Sequence, residues 1–236
     1  MLELKNYNNF ILKDIAFSLQ DGENLLILGE NGAGKSTLAK VLSNLIKNSN
    51  LFFNNQNINE IKSSSKAEIL NYIPSHFEVF DEYLTLFEYL KLCCLKDKPT
   101  KQIEEIISLL KLDFLKNSYC SNLSSGEQQL LQLAGSILHN AQITIFDELT
   151  ANLDLNRLKE VFLILNSNLL KQKIIITHNL DFAYALKDYK VLFLKKGSLE
   201  FFGSHNEFFT QENLNKYYNE SIKLLNSHLV LDLWKF

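Results

Sequence analysis

Along this chain, hydrophobic positions recur first with the period of a strand and then with the period of a helix. Residues 2–28 alternate apolar and polar character, and turn signals at Asn8-Asn9 and Asp21-Gly22 divide them. This pattern predicts short strands that form a small β layer. The apolar run at 25–28 predicts one further strand, and apolar residues at helical spacing from 38 to 45 predict the helix that follows it.

The middle of the chain is predicted to be mainly helical. A strand candidate at 69–73 ends at Pro74, and the run Ser63-Ser64-Ser65 before it indicates a connection. From about residue 77 to residue 118, apolar residues recur at helical spacing, which predicts an inserted helical lobe. One face of that lobe carries Ile103, Ile106, Ile107 and Leu110. We interpret this stripe as core packing.

Further strands and helices are predicted in the last part of the chain. A short apolar strand at 143–148 is followed by a helix and by a second strand at 174–177. Residues 191–202 predict a hairpin, and Ser204 and Glu207 have the spacing of a helix capping box. The tail from Gln211 to Phe236 contains no chemical motif and is predicted to be helical packing.

The strongest chemical motif lies between the apolar run at 25–28 and the helix after it. It reads Gly29-Glu30-Asn31-Gly32-Ala33-Gly34-Lys35-Ser36-Thr37. Glycines allow such a loop to wrap until backbone N–H groups point at a β-phosphate, and the next helix adds its positive N-terminal end. Lys35 supplies charge for the β- and γ-phosphates, and the Ser36 hydroxyl is placed to ligate Mg²⁺. The alternative is a chance glycine-rich turn, but the full G-x-x-x-x-G-K-S pattern has a strand and a helix on the correct sides.

Acidic residues end the strand at 143–148, and a histidine follows the strand at 174–177. In a parallel sheet, the carboxyl end of a buried strand lies at the edge where α/β proteins bind ligands. Asp147 is therefore predicted to hold Mg²⁺, directly or through water, and Glu148 to orient or deprotonate the attacking water. His178 is predicted to contact the γ-phosphate. The alternatives are that the acids only cap the segment from Leu149 onward and that His178 is an ordinary surface or core residue.

Two weaker signals also have a purely structural interpretation. The segment Leu123-Ser124-Ser125-Gly126-Glu127-Gln128-Gln129 opens a helix with an apolar stripe, and Ser124 with Glu127 forms a capping box. Tyr7 or Phe10 is placed to stack on a base, although both are also explained as ordinary strand aromatics.

Composition narrows the class of protein. The chain has 236 residues, 46% of them hydrophobic, and a net charge of −3, which fits a globular protein with a sizeable core. Arg157 is its only arginine, so no nucleic-acid partner is expected.

Cys93, Cys94 and Cys120 lack the paired spacing of a metal site and predict reduced thiols. The N-terminus has no apolar signal segment and no apolar run approaches the roughly 20 residues of a membrane span, so any membrane connection is expected through another subunit.

Five segments together resemble an ATP-binding-cassette (ABC) ATPase, in the order of that family and over most of the chain. They are the glycine loop at 29–37, the segment 123–129, the pair Asp147-Glu148, the run Asn152-Leu153-Asp154 and His178. The resemblance implies an α/β fold, a P-loop NTPase with a RecA-like core, an antiparallel β subdomain and an inserted helical subdomain. It places the core and β subdomain at about residues 1–75 and 140–236, and the helical subdomain at about 76–139. It also implies that residues 29–37 and Asp154 bind ATP, with Tyr7 as the best candidate to stack on adenine.

The resemblance further implies a head-to-tail dimer with a second copy of the chain or a paralogous ATPase. Ser124 and Gly126 of one subunit would close over the ATP held by Lys35 of the other. Phosphoryl transfer needs positive charge or donors at the γ-phosphate, and Arg157 lies outside the motifs. The helix N-terminus at Ser124 to Gly126 is expected to serve instead of an arginine finger.

Within that site, each residue type has an expected task. The expected catalytic residues are Lys35, Glu148 and His178, and the expected metal ligands are Ser36 and Asp147. The expected cofactors are ATP and Mg²⁺.

Three features of the sequence depart from the family pattern. Ser75 follows Tyr72-Ile73-Pro74 where the family carries a glutamine that touches Mg²⁺ and the attacking water, and serine is too short for that reach. Either a water or His76 substitutes, or the coupling between ATP and transport is altered. The signature Leu-Ser-Ser-Gly-Glu replaces the usual Leu-Ser-Gly-Gly-Gln but keeps the serine and the second glycine, so it is expected to function. Leu149 replaces the usual proline and is expected only to loosen a turn.

The function implied by the resemblance is the ATPase subunit of a membrane transporter, held at the cytoplasmic side of the membrane by integral membrane permease subunits. A compact cassette of this kind favours an importer, with an iron chelate, haem or another small solute as its cargo. One alternative is a soluble cassette that acts on nucleic acid or ribosomes, although such relatives usually carry two cassettes or a long coiled-coil insertion. Another is a low-turnover nucleotide-binding regulator, which Ser75 motivates but Glu148 and His178 argue against. A GTPase is disfavoured because no guanine-reading motif occurs.

Overall fold

Strands and helices alternate through most of the chain. The computed structural model describes residues 1–78, 81–225 and 228–231. The strands are β1 (Leu2–Tyr7), β2 (Ile15–Leu19), β3 (Asn24–Gly29), β4 (Leu51–Phe53), β5 (Gln56–Asn57), β6 (Leu70–Ile73), β7 (Ile143–Asp147), β8 (Gln172–Ile176), β9 (Tyr189–Lys195), β10 (Ser198–Ser204), β11 (Ile222–Leu225) and β12 (His228–Leu231). The helices are α1 (Lys35–Leu42), α2 (Ser63–Ile69), α3 (Leu86–Cys93), α4 (Thr100–Leu109), α5 (Ser125–His139), α6 (Leu155–Leu165), α7 (Leu180–Ala185), α8 (His205–Phe208) and α9 (Gln211–Tyr217).

Six strands form the central sheet in the order β10-β9-β3-β8-β7-β6. Strands β3, β6, β7, β8 and β9 run parallel, and β10 pairs antiparallel with β9. Every residue of β7 and β8 is buried, as is typical of parallel strands covered on both faces. Their register places Asp147 opposite Ile176. The segments that follow β3, β7 and β8 therefore meet at one edge of the sheet.

A smaller antiparallel sheet has the order β2-β1-β4-β5. Leu2 and Leu4 of β1 are buried, and this period of two is typical of a sheet with one covered face. The buried face shares a hydrophobic cluster with Leu25 and Ile27 of β3 and with Leu38 of α1. The β layer predicted near the start of the chain is therefore present, and the structure adds β4 and β5 to it.

Helices α3, α4 and α5 lie between β6 and β7 in the chain. Ile103, Ile107 and Leu110 are buried, as their spacing predicts. They belong to one hydrophobic cluster with Phe146 of β7 and Ile175 of β8, so the helices and the central sheet share a core. The subdomain boundaries near residues 75 and 140 stay a prediction. Among the residues that the structure describes, no helix is both long and apolar enough to cross a bilayer.

Two helices begin at the capping boxes that the sequence predicts. Ser124 with Glu127 caps α5, and Ser204 with Glu207 caps α8. In each box, the serine oxygen accepts from the glutamate N–H while the glutamate carboxylate accepts from the serine N–H. These bonds satisfy N–H groups that have no partner inside the helix.

Two predictions in the first half of the chain are wrong in part. Residues Ser63–Ile69 form α2 rather than a connection, and only Ile69 of this helix is buried. Hydrophobic periodicity cannot detect a helix without an apolar stripe. In the predicted helical lobe, the first helix begins at Leu86 rather than near residue 77. Residues 79 and 80 of that lobe lie outside the described residues.

The tail beyond α9 contains a β-hairpin rather than only helical packing. β11 and β12 pair antiparallel, with Lys223 opposite Val230. Ile222 is buried, and Leu224 and Leu229 pack against the cluster that contains Phe146. Alternate apolar positions suit a strand with one covered face, which explains the correction. Residues 226–227 and 232–236 of the predicted helical tail lie outside the described residues.

Candidate functional site

The glycine loop joins the end of β3 to the start of α1, as predicted. Gly29 and Gly34 have left-handed φ angles of 146° and 99°. A Cβ at Gly29 would lie 2.2 Å from the backbone oxygen of Leu194, and one at Gly34 would lie 2.8 Å from the Leu12 side chain. Both positions therefore require glycine for conformation and for space.

A cavity of about 300 Å³ opens at this loop. Its lining is drawn mainly from the loop and the first turn of α1, with one residue from the β layer and one from the end of β7. The lining residues are Ile11, Asn31, Gly32, Gly34, Lys35, Ser36, Thr37 and Glu148. Ala33, which is also predicted to bind the cofactor, is a loop residue buried in the hydrophobic cluster of the β layer. Loop N–H groups and a helix N-terminus together favour an anion in such a cavity.

Lys35 is held inside the loop by backbone carbonyls. Its Nζ donates to the Gly29 oxygen at 2.8 Å and to the Glu30 oxygen at 2.9 Å. Burial lowers the pKa of Lys35, and the nearby charges of Glu148 and Asp147 oppose this shift. Both acceptors are neutral, and phosphate oxygens would be stronger acceptors for the ammonium group. The geometry suits a lysine that exchanges carbonyl oxygens for phosphate oxygens.

Ser36 and Asp147 are brought together although they are far apart in the chain. Ser36 Oγ donates to Asp147 Oδ1 at 3.1 Å, and Asp147 is only 3% exposed. Two hard oxygen donors beside a phosphate-binding loop fit Mg²⁺, which binds proteins through few side chains together with phosphate oxygens and water. The pair predicted to bind the metal is therefore present with a suitable donor set.

Glu148 and His178 form a second pair at the same edge of the sheet. His178 Nδ1 lies 2.8 Å from Glu148 Oε1 and 2.7 Å from Oε2. Glu148 adopts a left-handed φ of 65°, and its N–H donates to the Ile176 oxygen at 3.0 Å. Such a conformation is uncommon for a residue other than glycine and is often found at functional sites. The strand register thus holds the predicted base beside the predicted histidine.

Ser124, Gly126 and Asp154 are not brought into this cavity within one chain. Ser124 Oγ donates to Glu127 Oε2 at 2.7 Å, and Asp154 caps α6 by accepting from the Arg157 N–H at 2.9 Å. A Cβ at Gly126 would lie 3.3 Å from the Asn152 oxygen. The start of α5 therefore lies next to the loop before α6. Ser124, Gly126 and Asp154 are not among the residues that line the cavity at the glycine loop.

The position of Tyr7 does not fit the predicted role in adenine stacking. Tyr7 is 6% exposed, lies in the hydrophobic cluster of the β layer, and its hydroxyl accepts from Asn9 Nδ2 at 3.2 Å. Phe10, the other aromatic that the sequence left open, is 92% exposed and precedes Ile11 of the cavity wall. A bulge between Leu4 and Tyr7, where Asn6 has a left-handed φ of 43°, interrupts the alternation of β1. It places Tyr7 on the covered face with Leu2 and Leu4, which accounts for the correction.

Tyr72 is a site residue that the sequence analysis missed. Its hydroxyl donates to Asp147 Oδ2 at 3.1 Å. Burial and the negative charge of Asp147 raise the pKa of Tyr72, so the hydroxyl keeps its proton. No local signal marks this contact, because Tyr72 is an ordinary aromatic in a predicted strand.

A second cavity, of about 610 Å³, lies beside the first. It is bounded by α1, the end of β6, the segment after β6, α3 and α5. The lining residues are Ser36, Lys40, Tyr72, Pro74, Ser75, His76, Phe77, Glu78, Tyr89, Gln132 and Asp147. Gln132 Nε2 donates to the Pro74 oxygen at 3.2 Å, so α5 holds the backbone just before Ser75. Ser75 and His76 therefore share a cavity with the metal-site pair.

Comparison with known proteins identifies the family. The model of the ABC transporter family matches residues 12–151, more than half of the chain. An uncharacterized ABC transporter ATP-binding protein of Methanocaldococcus jannaschii is 30% identical over 88% of this chain and 85% of that protein. A protein of Campylobacter jejuni, named as a probable ABC transporter ATP-binding protein, is 30% identical over 89% of this chain and 93% of that protein.

A solved structure with the same fold is a dimeric ATP-binding cassette in a post-hydrolysis state, bound to ADP and Pi. It has a TM-score of 0.75 and 22% identity, over 87% of this chain and 99% of that chain. The chain spans 54% of the length of a longer ATP-binding protein of Clostridium tetani and 38% of one of Treponema denticola. The predicted P-loop NTPase fold and the predicted family are both confirmed. The chain therefore belongs to the ABC transporter family, as an ATP-binding cassette with the ATPase fold of that family.

Proposed function

We propose that this chain binds and hydrolyses ATP as the energy-supplying subunit of a membrane transporter. One observation carries the proposal: a single sheet edge gathers Lys35, the Ser36–Asp147 pair and the Glu148–His178 pair around one glycine loop. Phosphate binding, metal binding and water positioning are the tasks of phosphoryl transfer to water, and each has a suitable group here. The likeness to a cassette with ADP and Pi supports the choice of nucleotide.

In this proposal, the loop N–H groups and Lys35 bind the β- and γ-phosphates of ATP. Ser36 Oγ and Asp147 Oδ1 hold Mg²⁺, which when bound supplies positive charge against the phosphate oxygens. Lys35 already lies at the end of the cavity and needs only to exchange its carbonyl acceptors. These groups neutralise charge rather than form bonds, as expected for a loose phosphoryl-transfer transition state.

Water activation falls to Glu148 with the support of His178. Glu148 lines the phosphate cavity and its carboxylate accepts from His178 Nδ1. We propose that Glu148 orients the attacking water and takes its proton. We propose that His178 keeps the carboxylate in place and that its imidazole contacts the γ-phosphate. The backbone bond from Glu148 to Ile176 ties both groups to the sheet.

A second subunit completes the site. Ser124 and Gly126 lie outside the lining of the phosphate cavity in one chain, although they start a long helix whose N–H groups suit an anion. We propose a head-to-tail dimer, with a second copy or a related cassette, in which this helix N-terminus faces the γ-phosphate of the partner. Asp154 lies in the neighbouring loop at the same surface. A dimeric cassette of the same fold supports this arrangement.

The adenine ring is proposed to stack on Phe10 instead of Tyr7. Phe10 exposes its ring and lies one residue from the cavity wall, whereas Tyr7 is buried. Stacking on an aromatic face needs only an accessible ring, and Phe10 provides it.

The proposed transport function and the proposed partners are inferred from the family to which the chain belongs. We propose that integral membrane permease subunits hold the cassette at the cytoplasmic side of the membrane. Import, with an iron chelate, haem or another small solute as cargo, stays a prediction from the resemblance. A soluble cassette that acts on nucleic acid or ribosomes is the alternative, and it would show different companions after purification.

Co-purification from native membranes tests the transport proposal. The expected result is an integral membrane protein that remains with the wild-type chain after gentle detergent extraction. A matched Ser75→Gln sample shows whether this position affects the association. Recovery of ribosomes, nucleic acid or no companion at all would refute the transporter assignment.

A dimer trap tests the ATPase site itself. In Glu148→Gln, ATP should bind but not be hydrolysed, so the chain should run as a dimer with Mg²⁺ and ATP and as a monomer without them. Light scattering after size exclusion measures the mass. A variant that binds ATP and still remains monomeric would contradict the shared site.

The Ser75→Gln variant also separates an ATPase from a regulator. We expect the wild-type chain to turn over ATP slowly with Mg²⁺, and the variant to hydrolyse it at least as fast. A wild-type chain that binds ATP without measurable phosphate release would instead favour a nucleotide-binding regulator. Phosphate release under saturating ATP is the measurement.

A further inference from the structure

Tyr72 lies between the metal-site pair and the larger cavity. It is the third residue of β6, opposite Ile145 of β7 in the parallel register. Its side chain lines the cavity of about 610 Å³ that also reaches Ser36 and Asp147. The tyrosine hydroxyl thus reaches Asp147 beside this cavity, at the oxygen that Ser36 does not contact.

The Asp147 carboxylate receives one hydroxyl donor on each oxygen. Ser36 Oγ donates to Oδ1 and Tyr72 Oη donates to Oδ2, each at 3.1 Å. The carboxylate is 3% exposed, so protein groups rather than bulk water orient it. Hydrogen bonds to a charged acceptor are stronger than bonds between neutral groups. The bond to Tyr72 therefore fixes the rotation of the carboxylate and keeps Oδ1 toward Ser36.

The backbone that carries Tyr72 is also held in place. Gln132 of α5 is 4% exposed and donates to the Pro74 oxygen at 3.2 Å. Tyr72 and Pro74 are two residues apart, so this bond limits movement of the strand end. A hydroxyl on a fixed strand end is well suited to orient a neighbouring ligand.

We propose that Tyr72 is a positioning residue for the magnesium site, acting through Asp147 Oδ2 to present Oδ1 to the metal. This inference rests on the proposed function, because it assumes that Ser36 and Asp147 hold Mg²⁺ with ATP. Tyr72 itself does not touch the metal or the nucleotide. Tyr72 restricts the rotation of the Asp147 carboxylate, which holds the metal in this proposal.

The test compares nucleotide affinity with and without the metal. The probe is a non-hydrolysable ATP analogue, AMP-PNP, titrated by calorimetry into the full chain in Mg²⁺ or in EDTA. For Tyr72→Phe we expect about tenfold weaker binding in Mg²⁺, the lower end of the effect of losing a hydrogen-bond partner of a metal ligand. In EDTA the affinity should equal that of the wild type. Mn²⁺ electron paramagnetic resonance in place of Mg²⁺ should show the same loss of bound metal.

Tyr89→Phe is the matched control. Tyr89 lines the same cavity, but its hydroxyl interacts with the Cys93 thiol. The same atom is removed from the same cavity, so binding should match the wild type in both buffers. A loss equal to that of Tyr72→Phe would mean that any hydroxyl of the cavity matters, and would overturn the inference.

The outcomes separate the two proposals. If wild-type affinity does not depend on Mg²⁺, the proposed metal site fails. If wild-type affinity depends on Mg²⁺ and Tyr72→Phe behaves identically, only the role of Tyr72 fails. Equal weakening in Mg²⁺ and in EDTA would show a purely structural role and would also overturn the inference.

A labelled tyrosine keeps the test decisive if Tyr72→Phe does not fold. With 3-fluorotyrosine at position 72, which retains the hydroxyl, the fluorine resonance should shift when Mg²⁺ is added to the AMP-PNP complex. The same label at position 89 should not shift. An unchanged resonance at position 72 would count against the proposal.

Discussion

The carboxyl edge of the central sheet and the start of α5 both contribute to the proposed site, but one chain completes only the first. At the sheet edge, Ser36 already contacts Asp147, and His178 already contacts Glu148. At the start of α5, Ser124 is bonded to Glu127 of its own helix. Ser124 is also absent from the described lining of the phosphate cavity.

The difference follows from how each region is built. Backbone hydrogen bonds fix the register of neighbouring strands, so side chains at the strand ends meet whether or not a ligand is bound. A helix N-terminus instead presents donors outward, and these acquire a partner only when something approaches. We therefore expect changes at the sheet edge to act within one chain, and changes at Ser124 to act on the partner.

The largest effect is expected at the sheet edge. Lys35→Ala removes the loop ammonium, and ATP hydrolysis should fall by about 100- to 1000-fold, as for other donors aimed at developing charge. Lys47→Ala is the control, because Lys47 is an exposed lysine just beyond α1. Phosphate release at saturating Mg²⁺ and ATP measures both. A Lys35→Ala chain with near wild-type turnover would break the assignment of the cavity.

A mixing experiment tests whether the start of α5 acts across the dimer. Ser124→Asp should abolish hydrolysis, because aspartate still caps the helix but places negative charge against the phosphate. Mixed with Lys35→Ala in equal amounts, two inactive chains should recover about one quarter of the wild-type rate through random pairing into heterodimers.

Ser124→Asn controls for the cap in this experiment. It keeps a capping side chain without the charge, so it should retain most of the activity. If the mixture stays inactive while each variant still dimerises, the sites are not shared between chains. In that case the contrast between the two regions would disappear.

A smaller effect is expected for adenine binding. Phe10→Ala removes the exposed ring, so the KM for ATP should rise about tenfold while kcat changes little, consistent with roughly 1 to 3 kcal/mol for base stacking. Tyr7→Phe should leave the KM unchanged, since it removes only the bond from Asn9. A KM for ATP that stays unchanged in Phe10→Ala would refute the proposed stacking on Phe10.

The smallest effect is expected on stability, from the protonation of His205. This loss of stability at low pH must be separated from any loss of ATPase activity at low pH. His205 is 3% exposed, lies between Tyr184 and Phe209, and its Nε2 is 2.9 Å from the Tyr184 oxygen. Burial lowers the pKa of His205 below its ordinary 6.5, although the bond to Tyr184 opposes the shift.

The sign of the pH effect follows from that shift. The unfolded chain binds the proton more readily, so this contribution is fully present above pH 6.5 and is lost as the pH falls through the lowered pKa. Urea unfolding should show a free energy of unfolding that decreases as the pH falls below 6.5. His205→Gln should flatten this part of the dependence. An unchanged slope would assign the loss of stability to other groups.

Local motifs were predictable because neighbours in the chain define them. Residues 29–37 need only a strand before them and a helix after them, and both are present. Asp147 and Glu148 follow an apolar strand, and the capping box at Ser124 needs only residues three apart. In such cases, local backbone geometry already fixes which groups can meet.

The remaining features depend on packing between distant segments. No short-range pattern indicates that Tyr72 bonds to Asp147, that Gln132 holds Pro74, or that Tyr7 faces the covered side of the β layer. The sequence does not predict the hairpin of β11 and β12, because its apolar runs are short. These runs form strands in the structure, where they pack against the hydrophobic cluster that contains Phe146.

Residues close together in the chain define the glycine loop, the acidic strand end and the histidine, and the order of these motifs along the chain indicates the ABC family. Which of these groups touch depends on the folded chain. The parallel register placed Asp147 opposite Ile176 and so set Glu148 against His178. Long-range strand pairing and packing fix such contacts, and no local spacing encodes them.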